Sequence, residues 1–367
     1  MLDLWNYVEV DDFFSLGNKL SKWVHTQPRN KLRGVNFISH VNPVEALENM
    51  NRSKSYYFSH EEKNDFHIIT EKRIIKKGVK QRSLEGTFFL YKNDYDNIWT
   101  ILTTEDSDFF DNVVMDFVKK NVPFMSHFFL SGNDIRMVFD KIYQDTKYKI
   151  MIDKAVLYTH KKEGKISYYK HKPYDEVFNR AENEGKYINK VGFEILNKDG
   201  GLEFRGFISR DGTTKFLEGK ARYYFKIILP LISEIGLGKN NILENKERTL
   251  GSLEINTIEV EFSKDVIRDV SDNKRVLKAL SQLKNSSLTV YHANPYLHAS
   301  VLDYTDGSSH DIFVSSSKSI TIVPSFIATE HSLINVIESI NKYFLEGELK
   351  EGKKEIFTYE DFFSDNG

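Results

Sequence analysis

Apolar side chains recur along the chain with two periods, one of two residues and one of roughly 3.6, and the exchange between them lays out the elements. Residues 10–25 carry the helical period, after which "GVNFIS" reads as a strand. "NPVEALENM" reads as a helix, with Asn42 as its cap and Pro43 at its first position. "FFLYKNDYDNIWTILT" predicts a hairpin, its β-branched and aromatic arms joined by a turn at 93–97. "SDFFDNVVMDFVKK" and "SGNDIRMVFDKIYQ" predict helices behind Ser107 and Ser131. Together these make an α+β unit that ends near Asp145.

The second half opens with a long strand pair, "KYKIMIDKAVLYTHKKEGKISYYKHK", followed by a helix over 173–184 and a meander over 187–218. "ARYYFKIILPLISEIG" predicts a buried helix that Pro230 bends or interrupts, because proline lacks a backbone donor. "LEINTIEVEF" alternates as one half-buried strand. A helix over 273–284 places Val276, Leu277, Leu280 and Leu283 on one face. Four short strands follow, at 288–292, 298–303, 311–314 and 319–323, then a closing helix at 330–344 and a charged tail. The fold class is therefore α+β (mixed α/β). Two domains are expected, 1–145 and 146–367, each a largely antiparallel or mixed sheet with packed helices.

Composition narrows the chemistry. At 367 residues the chain is longer than one hydrophobic core usually supports. Forty per cent apolar residues, with 27 Phe and 19 Tyr, can fill two. No apolar run approaches the roughly 20 residues that cross a bilayer, and the N-terminus has no basic segment leading into an apolar block. These features predict a cytoplasmic protein without a membrane partner. Zero cysteines exclude disulfides, thiolate metal sites and cysteine nucleophiles. A net charge of −2 gives no global attraction to nucleic acid, so any such binding must be local.

One stretch gathers histidines and aspartates, "YHANPYLHASVLDYTDGSSHDIFVSSS", with His292, His298, His310, Asp303, Asp306 and Asp311. Its helix, strand, "LHASVLDYTDG", strand and "VSSS" resemble, over residues 288–318, the phospholipase D superfamily, in which a strand carries His-x-Lys and then Asp. The resemblance implies a phosphodiesterase with His298 as nucleophile, but Ser300 stands at the lysine position and Thr305 at the acid's, with Asp306 one place late. Ser315 and Ser316 would stand for the small polar pair, and Lys318 falls at the asparagine's place. A phosphodiester would thus lack the cation that stabilises its charge. Hydrogen-bonded histidines at strand ends, with "TDGSS" as a turn, account for the stretch without chemistry and are the favoured reading.

"GLEFRGFISRDGTTKFLEGKAR" resembles the core of the PD-(D/E)xK nucleases. Glu218 and Lys220 match Glu-x-Lys, with Glu203 upstream, and the resemblance implies Mg²⁺ or Mn²⁺ as cofactor. Arg205, however, replaces the metal-binding aspartate, and a guanidinium opposes a divalent ion. Without that activity no cofactor or metal is expected. "GELKEGKK" has phosphate-loop spacing but follows a helix, and reads as a solvated tail. "GLGKNN" reads as a helix C-cap at Gly236 or Gly238.

The remaining clue is electrostatic. The run at 147–172 holds Lys149, Lys154, Lys161, Lys162, Lys165 and Lys170 with interleaved tyrosines including Tyr168, and "EKRIIKKGVKQR" adds Lys76, Lys77 and Arg82. Basic strands with exposed tyrosines track a phosphate backbone while stacking bases. Lysines that guard a sheet edge are the competing explanation. The expectation is a non-catalytic accessory subunit that contacts nucleic acid or an acidic protein partner. A hetero-complex in a multi-protein bacterial assembly, such as a phage-defence system, would suit it. A divergent phosphodiesterase or nuclease is the alternative.

Overall fold

The computed structural model describes residues 10–26, 31–50, 56–77, 80–122, 124–159, 162–244, 253–255, 257–314, 316–325, 328–344, 346–352 and 355–357. Two compact units emerge, one of residues 1–157, 165–180 and 188–237, the other of 158–164, 181–187 and 238–367. Both are α+β, each with its own antiparallel sheet. The boundary expected near residue 145 falls inside the first unit, between a helix and the strand that follows it.

In the first unit, α1 (Phe13–Thr26) precedes β1 (Leu32–Ser39), α2 (Pro43–Met50), β2 (Tyr56–Glu62), β3 (Phe66–Lys77) and β4 (Lys80–Lys92). The predicted turn then leads into β5 (Ile98–Thr103), with Asn97 at a φ of 62° that asparagine tolerates. A helical run follows as α3 (Ser107–Phe109), a π turn (Phe110–Val114) and α4 (Met115–Lys120), capped by Asp106 rather than by Ser107. Next come β6 (Met125–His127) and α5 (Gly132–Thr146), the latter with a full capping box between Ser131 and Asp134. The remaining elements are β7 (Lys149–Thr159), β8 (Lys162–Pro173), α6 (Tyr174–Asn183), β9 (Lys186–Leu196), β10 (Leu202–Ser209) and β11 (Thr213–Gly219). After α7 (Ala221–Tyr223), a π turn (Tyr224–Ile228) leads into α8 (Leu229–Glu244). The interruption expected at Pro230 takes this form: proline offers no N–H to the carbonyl one turn back, and the helix widens just ahead of it. The "GLGKNN" segment lies inside α8 and is no cap. Gly236 is there because a Cβ would stand 2.1 Å from the Phe128 ring.

The eleven strands run β2-β3-β4-β5-β1-β11-β10-β9-β7-β8, with β6 also on β1. Strand β1 is buried along its whole length, so its even and odd residues meet different layers. On the even side, Tyr224 closes over Gly34 and shares a 2.7 Å hydrogen bond with Thr214, in a stack with Phe204 and Phe216. Beside them the buried Asn36 accepts from Thr100 and donates to Ser233 of α8. On the odd side, Val35 and Phe37 pack with Val44 and Leu47 of α2, Phe109, Val113 and Phe117 of the α3–α4 run, and Phe88, Trp99 and Ile101 of the sheet. Among the described residues, this second layer packs on β3, β4, β5 and β1. Arg33 stands at the margin.

Within this layer a charge is enclosed. Glu71 of β3 is wholly buried and accepts from Arg73 Nε at 2.8 Å, while Arg73 also pairs with Asp116 of α4. Burial pushes the Glu71 carboxyl up to about 7, against the pull of Arg73.

The second unit holds β12 (Leu253–Ile255), β13 (Ile258–Glu261), α9 (Val270–Leu280), β14 (Ser286–His292), β15 (Leu297–Asp303), β16 (Ser309–Val314), β17 (Ser319–Pro324), α10 (Glu330–Asn341), β18 (Glu348–Glu351) and β19 (Glu355–Phe357). Six strands run β14-β15-β16-β17-β13-β18, and β12 pairs separately with β19. "LEINTIEVEF" is thus two strands in two sheets, and "GELKEGKK" contributes β18, with Leu349 buried and Lys350 paired to Glu261. Strict alternation in β15, β16 and β17 buries one face, where Ala299, Val301, Ile312 and Ile322 join Val276 and Leu280 of α9 and Leu333 and Ile337 of α10. Among the described residues no helix is long and apolar enough to cross a membrane.

The fold predicts a pH signature. A carboxyl raised on folding binds protons that the unfolded chain has lost, so stability falls as pH climbs from about 4.5 to about 7. Urea titrations at pH 5, 6 and 7 should show wild type losing ground to Glu71→Gln by at most about 1.4 kcal/mol per pH unit. Parallel behaviour of the two proteins would contradict this assignment.

Candidate polyanion-binding site

Strand register assembles the site. Arg33 of β1 lies directly across from Lys215 of β11, and Lys215 directly across from Phe207 of β10. On the next strand Phe207 faces Gly192, and Ser209 faces Lys190 of β9. Residues opposite one another in a ladder share a face, so Arg33, Lys215, Phe207 and Lys190 emerge together. Lys154 of β7 joins them, its Nζ 4.3 Å from the centre of the Phe207 ring, with Lys190 Nζ at 5.4 Å. Two ammonium groups thus stand over one phenyl ring, Lys215 and Arg33 follow on the neighbouring rungs, and the Asp153 carboxylate lies beside the ring at Gly192. The ring is seated by Gly192, where a Cβ would stand 2.5 Å from Phe207 Cε1.

Lysines so placed usually find carboxylates. Among the described residues, none of Lys154, Lys190 and Lys215 has a carboxylate within ion-pair distance, and Arg33 donates to the backbone carbonyl of Glu105. Burial pushes the Lys215 ammonium down to about 8, and Lys190, Arg33 and Lys31 push the same way against Asp111. Burial likewise lowers Lys190; Asp211 and Asp111 oppose the shift, while Lys154 and Arg33 add to it. Arg33 is lowered by burial against Asp106, Asp111 and Glu105. Lys215 and Lys190 are therefore disfavoured as cations first by burial and then by their basic neighbours. An anion delivered to this face would relieve them all at once.

The adjacent rung shows what neutralisation looks like. Glu218 lies across from Arg205, which pairs with it at 3.0 Å and also with Glu194, and Glu194 accepts from His171 at 3.1 Å. Lys220 turns away to Glu203, at 2.7 Å. The Glu-x-Lys pair is therefore split between two partners instead of forming one pole. Among the described residues no group of three His, Asp or Glu is placed to hold a metal ion.

The histidine stretch also separates. His298 sits on the half-exposed face of β15, its ring stacked 4.3 Å from Phe313 and 4.6 Å from Tyr291. His292 lies across from it on β14, exposed, at a register shift. His310 occupies the buried face, where its Nε2 meets Ser332 of α10 at 2.8 Å. Asp306 accepts from the Ser308 N–H and from the hydroxyl of Thr329, the N-cap of α10. Its carboxylate braces a turn against a helix start, as the hydrogen-bonding account of the stretch requires.

Of the basic residues marked by density in the sequence, Lys149 and Lys170 are exposed on β7 and β8, and Arg82 pairs with Asp108. Lys161 lies outside the described residues. Lys76, Lys77, Lys162, Lys165 and Tyr168 belong to β3 and β8, with side chains outside the described residues. Among the described residues of the basic run, Lys154 is the one that reaches the cluster. Arg33, Lys190 and Lys215 went unmarked because each is a lone cation among its immediate apolar neighbours; that placement was the signal. No family model matches the chain, and no curated protein matches it.

Crowding of like charges has a stability cost that a neutral side chain removes. Lys215→Met should raise the melting temperature at pH 7 by roughly 2–4 °C. The unfolded chain keeps this lysine's proton up to its ordinary value while the folded chain releases it from about 8, so wild-type stability rises with pH through that window. The advantage of the variant should therefore shrink between pH 8 and pH 10. A variant less stable than wild type at pH 7 would refute the crowding.

Proposed function

We propose that the chain is a non-catalytic binding subunit that grips a phosphate backbone with Arg33, Lys154, Lys190 and Lys215 around Phe207. The observation behind this reading is that Lys154 and Lys190 stand over one ring with Lys215 and Arg33 on the rungs beside it, the three lysines having no ion-pair partner among the described residues. A phosphodiester chain supplies what the face lacks, a line of negative charges that need not be desolvated deeply to be neutralised. Phe207 holds the ammonium groups at its ring face and so sets their spacing. A role as accessory subunit within a larger bacterial assembly, defence systems included, fits a chain whose charge is directed at one surface while its net charge is near zero.

The hydrolytic alternative rests on Glu218 with Lys220, or on His298 with His292 and Asp306. Each of Glu218, Lys220 and Asp306 is engaged by a structural partner, and His298 is held between two aromatic rings.

Fluorescence anisotropy with labelled single-stranded DNA, duplex DNA and RNA over a salt series tests the reading. Three or four phosphate contacts should give a log–log salt slope of about −3. Replacing Lys190 and Lys215 together by Glu should weaken binding by at least about tenfold and flatten that slope. Affinity should also fall as pH rises from 7 to 9, because Lys215 surrenders its proton near 8 in the free protein and a bound anion demands it back. Absence of salt-dependent binding to all three probes would exclude a nucleic acid, and cleavage of any probe with Mg²⁺ or Mn²⁺ would restore the nuclease.

A further inference from the structure

We propose that the second unit forms a twofold dimer by pairing β14 of one copy with β14 of another, joining two six-stranded sheets into one. Strand β14 is the edge of its sheet, and its residues 289–292 are exposed. Among the described residues its outward backbone groups have no hydrogen-bonding neighbour. Proteins guard such edges with charges, prolines or very short strands. The other long edges follow that practice. Strand β18 reads "ELKE", β2 ends in two glutamates, and β8 carries lysines and a terminal proline. Strand β14 reads "SSLTVYH", seven residues with no Lys, Arg, Asp, Glu, Pro or Gly.

The occupant is a second copy because the strand is complementary to its own reverse. Antiparallel pairing about Thr289 places Thr289 against its symmetry mate, a cross-strand pair that exchanges hydroxyl hydrogen bonds. Leu288 then faces the partner copy's strand at its Val position, apolar against apolar. The register shift between Val290 and His292 ends the regular rungs, so Tyr291, 61% exposed, and His292 flank the paired core beside the serines of the other copy. No rung sets like charges together, and a twofold axis is the symmetry that most soluble homo-oligomers use. Val290 and Tyr291, exposed in one copy, lose that exposure in the pair. A single strand pair buries less than a standard interface, so the dimer is weak and depends on concentration.

Sedimentation velocity and light scattering on the full chain from about 1 to about 100 µM test this, the range where weak self-association shows. Wild type should move from the mass of one chain toward twice that mass. Thr289 is exposed on the half-open face of the sheet, so Thr289→Lys and Thr289→Asp should keep the wild-type melting temperature while each stays monomeric throughout. Mixing the two should restore the dimer, since the axis now sets ammonium against carboxylate. This rescue separates contact across the axis from a defect in the fold. A wild type that stays monomeric to the highest concentration overturns the proposal, as does a dimer that either substitution leaves intact, or a mixture that fails to reassociate.

Discussion

Burial of Arg33, Lys190 and Lys215 close together on one face of the sheet is the constraint around which the first unit is best understood. Strand register leaves these side chains no freedom to separate, because each occupies a rung beside or next to Phe207. A sheet optimised for stability alone would place carboxylates or aliphatic residues at those rungs, as it does one step away where Glu194 and Glu218 bracket Arg205. Partial burial also makes repulsion among these cations stronger than it would be on an open surface, since screening water is fewer. A cost held in place by the backbone is the physical meaning of a preorganised anion site.

What holds it in place is the asymmetry of the layers. One face of the large sheet is packed by α1, α5, α6 and α8, with Phe139 against Phe193 and Tyr224 against Phe204 as its anchors. The other face is covered by α2 and the α3–α4 run only as far as β1. The cations stand beyond that cover, on β1, β11, β9 and β7, with Arg33 and Phe207 buried. Asp106 and Asp111, at the start of that helical run, lie at the border and temper Arg33 and Lys215 without pairing with the lysines. Both π turns fall at these boundaries, the first within the covering helix and the second before Pro230, and each lets a helix continue while its buried face shifts by one residue.

Much of the fold was legible because period and burial agree wherever a single layer decides. The strands of the second unit alternate as "LHASVLD" and "SITIVP" do, and the capping box at Ser131 and the turn at Asn97 need only local chemistry. Legibility failed where tertiary contact overrode a local signal. Gly236 looked like a helix end but is a packing requirement of Phe128, Ser107 yielded its cap to Asp106, and "LEINTIEVEF" broke between two sheets. The candidate site was less legible still. Density of charge marked the β7–β8 ribbon, whereas convergence is a property of register among strands far apart in the chain, and Arg33 and Lys215 are 182 positions apart although directly opposed. Lone lysines in "YINKVGFEIL" and "TTKFLEG" break the apolar pattern, and such conflicts between local and global preference mark functional positions.

The histidine stretch carries the converse lesson. His292, His298, Asp306 and His310 are dense in sequence yet lie on two faces and a turn, because alternation in a strand separates what proximity along the chain brings together. Each polar group there is explained by what it holds: Asp306 the start of α10, His310 the hydroxyl of Ser332, His298 the aromatic row with Tyr291 and Phe313. Catalysis requires groups whose partners are reagents. Here the partners are structural, and in the first unit Lys154, Lys190 and Lys215 have no ion-pair partner among the described residues. Like charges left unneutralised on a rigid sheet do not pass protons between acid and base; they attract an opposite charge and hold it. Binding is therefore the chemistry we propose for this distribution of charge.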